Sequence, residues 1–512
     1  MAVTTAGAEA PGDKGLAKNS VGLIGSTILS ISSVAPAYAL TATLGILAAS
    51  AGAKMPVVII AGFLPMFFAA YAYREFNRVL PDCGTSFTWT SKAFGPYVGW
   101  LGGWAAVLAT VIVLSNLAGV AVQFLYQFIG SAVGSDVVSG LWENKVINVI
   151  TCLVLLALAT LVTYRGLEAT EKLQMVLVGF QLVVLVVFAV TAIVKANGSG
   201  EHLAFSWSWF SPAGLGLSAF IAGLSGSIFA FWGWDTSLTV NEESKDSSKI
   251  PGIAALLCVT SILLTYLLVG IATQMYAGLG DTGLGLANEE VSDNVFGNLA
   301  QPILGHPLDL ALYLAVLVSA ASSLITTFLP TSRTLLAMSA YKAIPARFAT
   351  LHPKHKTPMV ATVAAGLGAG IFYAVLTFLS DKVLTDTILS LGIMICFYYG
   401  LTAFGCIWFF RRDLFTSGPN FVFKLLFPLL GGLGLFAVLV ITLHDSADPE
   451  YGSGASIGGV GLVLILGLGL IVVGLVLMAI QRVKHPAFFR GDTLRDSSVA
   501  DELIKTEQEL DR

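Results

Sequence analysis

Apolar positions in this chain come in long unbroken runs, not in amphipathic stripes. Twelve such runs are long enough to cross a lipid bilayer, at about 20–48, 55–76, 96–129, 146–164, 172–195, 213–240, 251–278, 300–338, 358–380, 384–410, 422–443 and 456–480. A hydrocarbon core about 30 Å thick is crossed by about 20 helical residues. Strands of a membrane barrel would alternate in polarity with a period of two, and these runs do not. The pattern therefore predicts an all-α integral membrane protein with twelve spans.

Two runs are flawed in the same way. The first reads VGLIGSTILSISSVAPAYALTATLG and the sixth GLSAFIAGLSGSIFAFWGWDTSLTV, each with poor helix formers near its middle. In the first these are Ser30, Ser32, Ser33 and Pro36; in the sixth, Gly226, Gly233 and Asp235. Proline removes a backbone donor and clashes with the preceding turn, and serine competes for backbone hydrogen bonds. Interrupted helices at matching places in two halves mark an inverted-repeat transporter, whose freed backbone groups face a central cavity. The division predicted is 20–195 for the first repeat (spans 1–5) and 213–410 for the second (spans 6–10), followed by two further spans over 422–480. Gly95, Gly99 and Gly103 recur every fourth residue at the start of span 3 and read as a helix-packing face.

Composition agrees: 56% of the 512 residues are hydrophobic and 11% charged. Charge placement adds orientation. Of 27 Lys and Arg, only Lys54, Lys145, Lys195 and Lys382 fall on loops after odd-numbered spans. The positive-inside rule then puts both termini in the cytoplasm of a multi-pass protein of the plasma (inner) membrane. Residues 1–19 and 483–512 read as disordered cytoplasmic tails, and the first lacks the apolar core of a cleavable signal. The five cysteines imply no disulfide framework, and Asn197-Gly198-Ser199 is a glycosylation sequon on an outer loop.

Of the 31 acidic residues, Asp235 is the one placed well inside a span. A charge there costs at least a few kcal/mol, so it ordinarily faces a cavity and a partner. Three roles fit it: neutralising a substrate ammonium with Trp232 and Trp234 as a cation–π wall, carrying a coupling proton, or capping the broken helix. On a regular helix the two tryptophans point about 200° apart, so only unwinding lets both line one cavity. No phosphate loop, metal-ligand motif, nucleotide cofactor motif or histidine near mid-membrane is present, so an ATP motor, metal catalysis and a histidine relay are unsupported. Nothing points to nucleic acid. A sensor or scaffold that kept the fold would be expected to carry a large soluble domain or a long tail; a membrane enzyme would need paired carboxylates or a nucleophile and base at one depth. Neither pattern occurs.

Four stretches then resemble the amino acid–polyamine–organocation (APC) transporter superfamily, in the right order and over essentially all twelve spans. FAFWGWDTSLTVNEESKDSSKIPG (229–252) is similar to its sixth-span signature. YREFNRVLPDCGTSFTWTSKAFGPYVGWLGGW (73–104), SRTLLAMSAYKAIPARFATLHPKHKTP (332–358) and FYYGLTAFGCIWFFRRDL (397–414) resemble three more of its segments. The resemblance implies the leucine-transporter fold, with substrate held between the breaks of spans 1 and 6. Mapped residue by residue, it implies a shell of Ser30, Ile31, Ser32 and Ser33 at the first break and Phe231, Trp232, Gly233, Trp234 and Asp235 at the second. Val107 and Thr110 of span 3, Ser323 and Thr327 of span 8, and Tyr398 and Tyr399 of span 10 would complete it.

The departures bear on substrate. Many members carry a Gly-Ser-Gly-like break in span 1, where Ile31, Ser32 and Ser33 stand here, so an amine without a carboxylate joins the candidates. Gln181 stands near the place where some proton-coupled relatives carry a lysine, and Ala340-Tyr341-Lys342-Ala343-Ile344 replaces a common Arg-Asp-Gly ending. The expectation is a permease for amino acids or related small amines, importing with protons through Asp235. Sodium at the hydroxyls of Ser323, Thr326 and Thr327, polyamine or organocation import, and substrate exchange stay open.

Overall fold

The computed structural model describes residues 14–166, 168–379 and 383–494. Ten helical runs among them are long and apolar enough to cross a membrane, the first of them Leu23–Val79 with 57 residues. At about 1.5 Å per residue that run is far too long for one crossing. It consists of α1 (Leu23–Val34), α2 (Pro36–Ala51) and α3 (Met55–Val79). Then follow α4 (Ser86–Phe94), α5 (Pro96–Val133), α6 (Lys145–Tyr164) and α7 (Glu168–Lys195). The second half holds α8 (Leu217–Ala230), α9 (Thr236–Thr239), α10 (Ile250–Ala277), α11 (Asp309–Ala340), α12 (Met359–Leu379) and α13 (Val383–Phe409). Two last long helices are α14 (Phe427–Asp445) and α15 (Leu470–Lys484).

Local chemistry sets many of these boundaries. Proline stands in the first turn of α2, α3, α5 and α10, where its missing N–H would be unpaired anyway. Asn144 caps α6 by accepting from the Val146 and Ile147 amides at 3.1 and 3.2 Å. The long α5 packs along α11, α3 packs along α10, and α13 packs against α14. Gly99 and Gly103 serve contact, as expected: a β-carbon on Gly103 would come 2.9 Å from the Phe87 β-carbon of α4. All five cysteines are buried and free.

Three sequence expectations are corrected. The first break is not at Ser30–Ser33, which lie inside α1; it is at Ala35, with φ 54° and ψ 69°. Pro36 is the cause: it disfavours α geometry in the residue before it and offers no N–H to the Ser32 carbonyl. Span 8 begins at Asp309, not at 300. Val295–Leu304 is a separate helix, cut off at Gly305, whose φ of 73° belongs to the left-handed region.

The tails are also not wholly loose. Leu16 is buried in an apolar cluster with Phe87 and Leu336, and Phe488 and Phe489 are buried in the same cluster. These are apolar side chains with an apolar surface to cover, which the polar character of their neighbours in sequence obscured. Residues 1–13 and 495–512 of the predicted tails, and Lys382 of the charge count, lie outside the described residues.

Candidate functional site

The break in the first helix and the break in the sixth apolar run meet directly. Between α8 and α9 the chain leaves helical geometry over residues 231–235, with Gly233 at φ 103°. A β-carbon on Gly233 would lie 3.0 Å from the Ser33 carbonyl carbon and 3.1 Å from the Val34 nitrogen. Only glycine allows both the backbone angle and this approach.

Breaking two helices frees backbone carbonyls that must find other partners. Hydroxyls from neighbouring helices supply them. Ser323 Oγ of α11 donates to the Ser33 carbonyl at 2.8 Å, and Ser30 Oγ donates to the Trp234 carbonyl at 2.9 Å. The Ser237 amide in turn donates to Ser30 Oγ at 3.1 Å, and Tyr266 donates to the Ala230 carbonyl at 2.7 Å. Thr236 Oγ1 donates to Ser33 Oγ at 2.8 Å. The serines of α1 thus tie the first helix to both the sixth run and α11.

The side chains of the second break part company. Trp232 donates its indole N–H to the Tyr398 hydroxyl at 2.6 Å. Trp234 stacks on Tyr399 at 5.0 Å between ring centroids, with Tyr73 edge-on to both. Its own indole nitrogen is buried without a partner. Asp235 is 6% exposed and accepts a hydrogen bond from the Tyr399 hydroxyl at 2.7 Å. It stands at the start of α9 but makes no side-chain cap bond.

Other candidate residues are placed less centrally. Phe231 turns away, packing on Tyr266 and Phe63 at 5.2 and 5.9 Å. Val107 and Thr110 are buried on α5, and the Thr110 hydroxyl bonds the Val107 carbonyl at 2.7 Å, with no bond to either break. Thr327 reaches Ser323 at 3.3 Å and Thr326 reaches Ser32 at 3.5 Å, so the proposed ion hydroxyls do cluster beside α1. Ile31 is buried in the main core.

Gln174 is the residue that sequence reasoning passed over. It accepts from Ser32 Oγ at 2.6 Å and donates to the Ser322 carbonyl at 3.2 Å, joining α7 to α1 and α11. The available signal was an amide in an apolar run; attention went instead to Gln181, two turns on, which is buried with both amide atoms unpartnered.

At the end of the bundle where α1 begins, Lys14 closes the structure. Its ammonium pairs with Asp82 at 2.9 Å and Glu242 at 2.6 Å, and its side chain is 3% exposed. Tyr341 also donates to Asp82 at 2.9 Å, while Glu242 accepts from the Cys83 amide at 2.9 Å. Burial works against the ammonium, but Asp82 and its neighbours overturn this and hold the Lys14 pKa well above its ordinary value. Burial would likewise lift the Asp82 carboxyl; Lys14, the Gly84 amide and the Thr88 hydroxyl bring it below the ordinary value instead. Asp82, Cys83 and Glu242 converge closely enough for a metal. The lysine ammonium already sits between the two carboxylates, and burial followed by Glu242 keeps the Cys83 thiol protonated.

Comparison with known proteins agrees with this architecture. A family model described as amino acid permease matches residues 21–481. The chain is 26% identical to the branched-chain amino acid permease of Bacillus subtilis, over 69% of this chain and 73% of that one. It is 24% identical to a vacuolar cationic amino acid transporter of Arabidopsis thaliana, over 64% of this chain and 50% of the relative. It is 23% identical to the methylthioribose transporter of Bacillus subtilis, over 72% and 79% respectively. These relatives are transporters, not enzymes, and their names span apolar, cationic and non-amino-acid cargo.

Proposed function

Because the chain belongs to the amino acid permease family of the APC superfamily, we propose that it is a secondary active transporter of amino acids or related small amines, importing by alternating access. Twelve crossings follow if α1 with α2 and α3 are two, the α8–α9 region is another, and nine further runs supply the rest. The matching positions of the breaks, in the first and sixth spans, support two inverted five-helix repeats with α14 and α15 added. Basic residues on even-numbered loops favour cytoplasmic termini in the plasma membrane.

The observation that carries the reading is the junction itself: Gly233 against Ser33, with Asp235 held by Tyr399 beside it. The backbone carbonyls of Ser33, Ala230 and Trp234, each held by a serine or tyrosine hydroxyl, are groups that a substrate ammonium can take over by displacing a hydroxyl. Asp235 is the nearby acid that can carry the coupling proton or balance the ammonium. Serine side chains at the end of α1, where bare glycines would leave amides open, favour polyamine or organocation cargo as the second reading. Sodium beside Ser323, Thr326 and Thr327, or exchange of two substrates, are the competing coupling modes.

The test is uptake in reconstituted liposomes, with amino acids, polyamines and aminoalcohols presented under imposed proton or sodium gradients. Accumulation of an amino acid driven by protons, and abolished in Asp235→Asn, is expected. Accumulation driven by sodium alone, or unaltered in Asp235→Asn, would overturn the coupling assignment. Absence of transport of every compound, counterflow included, would overturn the transport reading in favour of a sensor.

A further inference from the structure

The chain between α11 and α12 closes into a basic turn at the end of the bundle where α1 begins. Its sequence is HPKHKTP (352–358), with a proline near each end. Backbone bonds join the two sides. The His352 amide donates to the Thr357 carbonyl at 2.8 Å, and the Met359 amide to the Thr350 carbonyl at 3.1 Å. His352 Nδ1 accepts from the Lys354 and His355 amides, both at 3.2 Å, which holds the tip in shape. The turn rests on the end of α6. Thr357 Oγ1 donates to the Tyr164 carbonyl at 2.8 Å, and the Tyr164 ring meets His352 edge-on at 5.1 Å. Leu351 reaches the N-terminal segment, where a β-carbon on Gly15 would lie 3.1 Å from it.

Arg165, Lys354 and Lys356 are exposed on this turn and on the helix end beneath it. Lys356 holds φ at 55°, a left-handed geometry that glycine or asparagine takes more readily, so the position keeps a cation at a backbone cost. The charged groups that act on His355 are themselves cationic. After burial, His352, Lys354 and Arg165 hold its pKa below the ordinary value. Cations gathered this closely repel one another, and an anion among them relieves the repulsion.

Next to the turn the helix surfaces are apolar. Val154, Leu158 and Leu161 of α6 and Val363, Leu367 and Ile371 of α12 recur every third or fourth residue and are 43% to 66% exposed. The two helices touch. A β-carbon on Gly370 would lie 2.9 Å from Leu153, which is itself 43% exposed, so the seam between them opens outward. A cluster of cations at the end of an apolar seam matches the two ends of one kind of molecule.

We propose that the turn with Arg165, Lys354 and Lys356, together with the α6–α12 seam, is a binding site for an anionic phospholipid. The phosphate lies among the three cations and the acyl chains run along the seam. Basic pockets at the cytoplasmic ends of membrane helices hold such headgroups, and the cytoplasmic leaflet supplies the anionic lipid. The choice of leaflet rests on the orientation read from charge placement; the site itself does not. A lipid held there bridges α6 and α12 at the membrane boundary.

Native mass spectrometry of the purified full-length protein in detergent, titrated with dioleoylphosphatidylglycerol or dioleoylphosphatidylcholine, reads the bound lipid directly. It depends neither on orientation nor on transport. Wild-type protein retains phosphatidylglycerol in preference to phosphatidylcholine. The combined Arg165→Gln, Lys354→Gln and Lys356→Gln variant binds phosphatidylglycerol on the order of a hundredfold more weakly, with phosphatidylcholine unchanged. Two controls keep wild-type affinity. One removes the same charge from exposed positions on other loops, as Lys249→Gln, Arg411→Gln and Arg412→Gln. The other preserves charge at the site, as Lys354→Arg with Lys356→Arg. Equal retention of the two lipids by wild-type protein, unchanged binding in the site variant, or equal loss in either control overturns the proposal. So does displacement of the lipid by glycerol phosphate, which would make the turn a site for soluble anions.

Discussion

Tyr399 donates its phenolic hydrogen to Asp235 at 2.7 Å while its ring stacks on Trp234, so one residue of α13 holds both the acid and the aromatic face of the second helix break. A hydrogen bond to a charged group is worth roughly 1.5–3 kcal/mol, which is about ten- to a hundred-fold in an equilibrium. Tyr399→Phe keeps the stack and removes only this bond. Uptake by the variant in liposomes should fall at least about tenfold at normal surface amounts. A variant that transports like the wild type would show that the acid is oriented by something else.

Gly233→Ala tests the contact of the breaks without touching any charge. Its β-carbon would meet Ser33 and Val34 backbone atoms at 3.0 to 3.1 Å, and the φ of 103° is one that alanine rarely adopts. Strain of this kind costs of order 1–3 kcal/mol. The expected outcome is near-complete loss of uptake with a lowered melting temperature. Gly198→Ala, where nothing lies within 4 Å, is the control and should behave as wild type.

What the sequence made legible here was the chemistry carried by residue type. Asp235 amid aromatics, the twin flaws in two apolar runs and the helical, membrane-crossing character of the long runs could all be read without coordinates. The location of the first break could not, because four poor helix formers compete for it and the deciding factor is one backbone angle at Ala35. The serines were read as lining for a substrate; in the structure each bonds a partner from another span, and such partners are invisible to local pattern. Gln174 was missed for the same reason, since its role depends on which face of α7 meets Ser32. Lys14 looked like one charge in a polar tail, and nothing in its surroundings in sequence announces two carboxylates from residues 82 and 242.

Arg333 and Glu243 provide a buried ion pair between α11 and the segment after α9. The guanidinium donates through Nε and Nη2 to one carboxylate oxygen at 3.0 and 2.9 Å, and the residues are 1% and 3% exposed. Removing one partner of such a pair leaves the other charge buried and alone, at a cost of roughly 3–5 kcal/mol. Glu243→Gln should therefore lower the melting temperature of the detergent-solubilised protein substantially. Replacing both, as Glu243→Leu with Arg333→Met, should recover most of the loss. If the double variant is no more stable than Glu243→Gln, the pair's geometry and not its charge balance is what the fold requires.

Lys14 should act as a latch on the end of the bundle where α1 begins. It links the residue-82 turn before α4 to the residue-242 segment after α9, with Tyr341 of the α11 terminus on the same carboxylate. Lys14→Met leaves Asp82 and Glu242 facing each other without the cation, so these segments should separate more often. Cys83, fully buried beneath them, reports the change. In a background with the other four cysteines replaced, maleimide labelling of Cys83 at fixed pH should be many-fold faster in Lys14→Met. Equal rates would show that the latch is held by packing of Leu16 and not by charge. The pH dependence has a definite sign. Asp82 is depressed below 3.8, so its share of the stability is present above that value and fades only as pH falls through its lower folded value. Lys14 is raised above 10.5, so its share persists below that value and is lost only as pH climbs through the higher folded one. Between about pH 5 and 9 Asp82 and Lys14 both remain charged, so the ion pair between them holds throughout that interval. Any change of uptake across that interval should then survive in Lys14→Met.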